Sequence, residues 1–248
     1  MTASPWHLGR LAVLDTETTG LESARGDRVI EIAVVLFEGG VVTERWSTLL
    51  DPGRRLPPEV VKITGITDAD VAGQPSFGDV AQIVLRLLEG RIAVAYNADF
   101  DRGFLVQEFA RLRLQLPPTL QWLDPLVFAR EIHKGQGAMK LGLVAKRLGI
   151  ELEEAHRAAA DAEAAGRVLL ALAPALPVDL ADALDLQDKL LARQDAERAG
   201  WRGRDRGRGT AALVVETTGP VHALGPAYPM GDELDPVRYM FLRAAGRG

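Results

Sequence analysis

The apolar run Leu11-Ala12-Val13-Leu14 ends in two carboxylates two residues apart, Asp15-Thr16-Glu17. The run reads as a buried strand, and its ending restricts what the rest of the chain can build. Strand side chains alternate faces, so Asp15 and Glu17 point the same way, about 6.5 Å apart along the strand. Two acids on one face of a buried strand repel each other and lose hydration unless something positive sits between them. A divalent metal ion, which prefers hard oxygen ligands, meets that need. The plainer alternative is a strand running out into an exposed polar turn, Thr18-Thr19-Gly20.

Strand signals dominate the first fifty residues. After the segment 11–17, a β-branched apolar run covers 28–37, Glu38-Gly39-Gly40 makes a turn, and 41–50 returns as a hairpin partner. Pro57-Pro58 opens a short helix over 59–63. Ser76 and Asp79 have the spacing of a capping box, and Phe77, Val80, Val84 and Leu87 share one face of the helix running to Glu89. A fourth strand is expected at 91–96, a helix at 100–113 and a fifth strand at 120–123. Helices follow at 125–133, 140–148 and 157–173, with Gly135-Gln136-Gly137 as a mobile link. Meander strands followed by alternating helices and strands predict an α/β fold with a mixed five-stranded sheet flanked by helices.

Pro174 and Pro177 end the last of these helices, so the first domain is expected to close at 173. Residues 174–200 read as a helical extension. Residues 201–248 begin Gly- and Arg-rich and read as a flexible linker with a small appendage, including a short strand at 211–215. Glu216-Thr217-Thr218-Gly219 echoes Glu17-Thr18-Thr19-Gly20, but Val214 stands where Asp15 would be, so the echo lacks the paired acid.

The chain has no cysteine, which removes disulfides and thiolate metal sites and fits a reducing compartment. No apolar run approaches the roughly 20 residues of a membrane span, and residues 1–10 lack the pattern of a secretory signal. A cytoplasmic protein with no membrane contact is the expectation. The formal charge of −5 argues against broad, sequence-independent coating of a duplex. It is compatible with a site made of carboxylates whose charge a bound metal offsets.

Two further elements could join the opening acids. Asp99 and Asp101 follow the fourth strand where the chain turns into a helix, a place where α/β sheets put ligands. Asp99 suits an N-cap and Asp101 the favourable first turn, so spacing alone does not choose between them as ligand. His156 and Asp161 lie at and within an Ala-rich segment, Arg157-Ala158-Ala159-Ala160-Asp161-Ala162. Small neighbours let such a helix approach a sheet closely and present Asp161 to the strand acids.

In this order, Asp15-Thr16-Glu17, Asn97-Ala98-Asp99-Phe100-Asp101 and His156 through Asp161 resemble the three motifs of the DnaQ-like 3′→5′ exonucleases of the DEDDh type. Leu14 to Leu21 (LDTETTGL), Lys62 to Thr67 (KITGIT) and Leu141 to Gly149 (LGLVAKRLG) are similar to further family segments. The resemblance covers roughly residues 10–172. It implies an RNase H-like fold and a DEDDh exonuclease domain over 1–173, with Asp15, Glu17, Asp101 and Asp161 holding two Mg2+ ions, for which Mn2+ substitutes. It implies that His156 takes a proton from the attacking water and that nucleoside 5′-monophosphates leave from a 3′ end. It selects Asp101 over Asp99, and it places Thr16, Thr18, Leu21, Ile66 and Asn97 near the terminal nucleotides. Relatives often carry His before that Asn, where this chain has Tyr96. The subclass with Tyr for His would need Tyr where Arg157 stands.

Within the family the resemblance is to epsilon-type proofreading exonucleases of bacterial DNA polymerase III. The implied substrate is a single-stranded or frayed 3′ end of DNA, for proofreading or repair. An RNA 3′ exonuclease of the RNase T or oligoribonuclease type is the alternative, and a non-catalytic polymerase- or clamp-binding adaptor is the alternative of another class. Gln187-Asp188-Lys189-Leu190-Leu191 loosely resembles a sliding-clamp docking peptide, though in a helix its leucines read more simply as packing.

Overall fold

The first three strands form an antiparallel meander. β1 (Arg10–Thr18) pairs with β2 (Val29–Glu38), which turns through Gly39-Gly40 into β3 (Val41–Leu49). Both glycines hold positive φ, a region costly for other residues, so the turn depends on them. The structure is a computed structural model that describes residues 5–151 and 157–206, with side chains described through 198. α1 (Pro58–Thr64), α2 (Asp68–Val71) and α3 (Phe77–Leu88) follow. β4 (Ile92–Val94) pairs parallel to β1, and α4 (Ala98–Arg111) leads to β5 (Trp122–Leu123), parallel to β4. The sheet order is β3-β2-β1-β4-β5, the mixed five-stranded sheet expected from the strand signals. Then come α5 (Pro125–Ile132), α6 (Leu141–Arg147), α7 (Ala158–Leu172) and α8 (Leu180–Arg206).

β1 and β2 are buried on both faces, and the period of two divides their residues between two cores. Leu11, Val13, Val35 and Phe37 pack under α7, against Ala158, Ala162, Ala165, Val168 and Leu169. Ala12, Leu14, Ile32, Val34 and Leu36 face the other way, against Phe77 and Val84 of α3 and Phe104, Leu105 and Phe109 of α4. Phe77 and Phe109 meet edge to face, with ring centroids 5.1 Å apart. Gly166 explains how α7 comes so close. A Cβ there would lie 2.5 Å from the Phe37 ring and 3.0 Å from Val13.

Four details differ from the sequence reading. The link at Gly135–Gly137 is held down: the Arg147 guanidinium donates to the carbonyls of Gln136 (2.6 Å) and Ala138 (2.8 Å). Asp99 is not the N-cap of α4. Asn97 takes that place with φ 71°, and Asp99 is exposed in the first turn. α8 begins at Leu180, with the Asp179 carboxylate accepting from Ala181 N–H, and it continues to Arg206, through the first residues expected to be linker. It also shares the α7-side core through Ala183 and Leu190, so apolar packing crosses the boundary expected at 173. The expected strand at 211–215, the rest of 207–248 and the Glu216–Gly219 echo lie outside the described residues.

Candidate active site

β1 brings Asp15 and Glu17 to its C-terminal end, where their neighbours Leu11 and Val13 set the face they share. That face is the one α7 covers. Asp161, one turn into α7, completes a trio: carboxylate oxygens of Asp15, Glu17 and Asp161 all lie within 4.8 Å of one another, and all three residues are buried. The Asp161 N–H donates to the Arg157 carbonyl at 3.0 Å, which fixes Asp161 within the first turn. Three hard oxygen donors this close, out of bulk water, are a donor set suited to a magnesium-type cation and costly without positive charge.

Asp101 reaches the same strand from the opposite side. It is buried in the first turn of α4, the helix packed on the even-numbered face of β1. Its carboxylate accepts a hydrogen bond from Thr16 Oγ1 at 2.7 Å. Thr16 is therefore occupied through its side chain, between the two strand acids, and Asp101 lies outside the close trio. Thr18 is fully buried and donates to the Gly20 carbonyl at 2.6 Å. Leu21 and Ile66 meet in one small apolar cluster with Ile30, Leu56, Val60, Ile63 and Val71, beside the loop that follows β1. Ile66 is buried in it and Leu21 half-buried. Asn97 sits at the β4–α4 turn. His156 lies outside the described residues.

Three acids near this site were missed by the sequence reading. Glu31 lies directly across from Glu17 in the β1–β2 ladder, beside a register shift after Glu17, and is buried. Arg157 Nε stands 3.8 Å from it. An acid in the middle of the apolar run Val29-Ile30-Glu31-Ile32 was the available signal. Glu108, two turns beyond Asp101, takes both Nε and Nη2 of Arg28 at 2.7 and 3.0 Å, and Arg111 adds a third contact. This forked pair ties the start of β2 to α4. Asp124 follows β5 directly and precedes Pro125, an N-cap pattern. Burial pushes its carboxyl above the ordinary value, while the N–H groups of Asn97, Leu126 and Ala98 and the charge of Arg130 pull it back.

A family model described as Exonuclease matches residues 12–169, a span that contains every strand acid and all of the sheet beyond the first two residues of β1. The chain belongs to this exonuclease family. It is 38% identical over 150 residues to DNA polymerase III subunit epsilon of Treponema pallidum, covering 60% of this chain and 69% of that protein. It is 36% identical over 161 residues to the 3′-5′ exonuclease DinG of Bacillus subtilis, covering 65% of this chain but 17% of that much longer protein. A solved exonuclease X bound to 5′-overhanging duplex DNA superposes with a TM-score of 0.59 at 25% identity, covering 71% of this chain and 99% of that one. The nuclease domain of a DEDDh member, 3′hExo, shares the fold with a TM-score of 0.57 at 19% identity, covering 66% of this chain and 90% of that one. Family membership implies divalent metal ions, and the buried trio fits that requirement.

The candidate clamp peptide is committed elsewhere. Gln187 is buried, its Oε1 accepting from Asp124 N–H at 2.7 Å and its Nε2 donating to the Trp122 carbonyl at 3.0 Å. Leu190 is buried in the core. Among the described residues no single helix is long and apolar enough to cross a membrane.

Proposed function

We propose that this protein is a metal-dependent 3′→5′ exonuclease that removes nucleoside 5′-monophosphates from DNA 3′ ends, in proofreading or repair. The buried trio of Asp15, Glu17 and Asp161, set in an exonuclease family frame, carries the reading. In it, Asp15, Glu17 and Asp161, joined by Asp101, hold two Mg2+ ions. Bound there, the ions supply Lewis-acid charge stabilisation and an acidified water. Asp101 is kept in place by Thr16. His156, five residues before Asp161, takes the proton from the attacking water, a task suited to a group titrating near neutrality. In this reading Leu21 and Ile66 supply the apolar packing against the terminal bases, and Thr16, Thr18 and Asn97 the neighbouring substrate contacts. DNA is favoured as substrate by the DNA polymerase III epsilon relative and by the exonuclease X structure bound to duplex DNA. A cytoplasmic location is part of the same reading, and the DNA polymerase III epsilon relative favours association with a polymerase.

The test is a 3′-end assay on 5′-labelled single-stranded DNA, mismatched duplex and RNA with Mg2+ or Mn2+. A ladder shortening from the 3′ end is expected, strongest on DNA. Asp15→Ala should cost about 10²–10³-fold in turnover, and His156→Ala should reduce kcat by about 10²–10⁴-fold with little change in KM. Full activity of a clean Asp15→Ala preparation would refute the site. Mn2+ should also raise the thermal midpoint, by the equivalent of about 2.7 kcal/mol at a hundredfold excess over Kd. An adaptor with an empty site would show no such rise.

A further inference from the structure

A second polar arrangement lies behind the site. Asp124 Oδ1 accepts from Asn97 N–H at 2.9 Å and from Leu126 N–H at 2.8 Å, and its Oδ2 accepts from Ala98 N–H at 3.0 Å. One buried carboxylate thus caps two helices at once, α4 and α5. At α4 the clamp falls on a strained point. Asn97 has φ 71° and ψ 56°, a left-handed conformation that only a few per cent of non-Gly residues adopt. Its own side chain makes no capping bond to the helix, so the Asp124 carboxylate does the capping there. Asp101 lies four residues after Asn97, and its direction of approach to Thr16 follows from how that turn is set.

Asp124 is in turn fixed from the far side. Gln187 of α8 accepts from the Asp124 backbone N–H and donates to the Trp122 carbonyl, so it holds the chain on both sides of Leu123. Gln194, two turns further on, donates to the Val127 carbonyl at 3.0 Å. A continuous set of hydrogen bonds therefore runs from α8 through Gln187 and Asp124 to the Asn97 turn and the helix that presents Asp101.

We propose that Asp124 and Gln187 are positioning residues for Asp101, so that α8 is part of the scaffold of the metal site and not an appendage to it. The inference rests on the nuclease reading above. It assigns α8 a role in metal affinity and turnover, exerted without any contact to substrate.

The variants are Asp124→Asn, which keeps an oxygen for two of the three N–H donors, and Gln187→Leu, which keeps the shape and loses both bonds. Each is compared with wild type for Mn2+ affinity by calorimetry and for kcat and KM on single-stranded DNA, well below its thermal midpoint. Outer partners of metal ligands are commonly worth about 10–100-fold in metal affinity or activity. Asp124→Asn is expected to weaken Mn2+ binding and lower kcat within that range, with KM changed less than about threefold. Gln187→Leu is expected to act in the same direction and by less, and Gln187→Glu, which keeps the acceptor for Asp124 N–H, should recover part of the loss. A purely structural role would lower the thermal midpoint and leave Mn2+ affinity and kcat at wild-type values, and that result overturns the proposal. If Asp124→Asn does not fold, the two Gln187 variants decide it by the same readings. Wild-type protein that neither binds Mn2+ nor cleaves DNA would overturn the nuclease reading, and this inference with it. Wild-type protein that does both, matched by its variants, would overturn this inference alone.

Discussion

The two faces of β1 deliver acids to the same strand end by different means. On the α7 face the device is close packing. Ala158, Ala162, Ala165 and Gly166 bring the helix down onto Val13 and Phe37, and Asp161 arrives beside Asp15 and Glu17 because the backbone that carries it is near. On the α4 face the packing is bulky, built on Phe77, Phe104 and Phe109. There the acid is placed by hydrogen bonds, Thr16 to Asp101 and Asp124 to the Asn97 turn. Small residues and polar tethers are two answers to one problem, the placing of charged groups at one strand end in a buried setting.

The contrast can be broken on either face. Phe104→Ala, on the bulky face, should cost about 3–5 kcal/mol of stability in a denaturant titration. It should leave Mn2+ affinity near wild type where the protein is still folded, because that face does not set its acid by contact distance. A large loss of affinity without unfolding would erase the distinction. Gly166→Ala is the counterpart on the close face. The added methyl meets Phe37 and Val13, so we expect a stability loss of about 1–3 kcal/mol from overpacking. Here weakened Mn2+ binding should accompany the loss, since any outward shift of α7 carries Asp161 with it. Unaltered affinity would mean that close approach is not what places Asp161. Thr16→Val should cost about 1.5–3 kcal/mol, the range for one lost hydrogen bond to a charged group. Its signature should be a several-fold rise in the Mn2+ concentration that gives half-maximal activity. A variant indistinguishable from wild type in that titration would show that Asp101 needs no tether.

Most of the elements were legible from local pattern because they obey local rules. Ser76 and Asp79 form the capping box their spacing suggests, and Pro58 stands in the first turn of α1. β5 shrank to Trp122–Leu123 because an edge strand is defined by its partner, not by its own composition. The Gly135–Gly137 segment looked free because its restraint comes from Arg147, ten residues further along the chain. Gln187 looked available for docking because nothing in its own helix shows that Asp124 and Trp122 wait opposite it.

For the site, the division follows the same physical line. The sequence by itself determined that Asp15 and Glu17 share one face of a buried strand, because side-chain alternation is a property of the backbone. It also determined that an Ala-rich helix could come close enough to bring Asp161. Only the tertiary structure decided that Asp101 approaches from the opposite face and meets Thr16, that Glu31 stands across from Glu17, and that Asp124 and Gln187 stand behind the Asn97 turn. Those relations depend on ladder register and on which helix covers which face, and both are settled by packing between segments far apart in the chain.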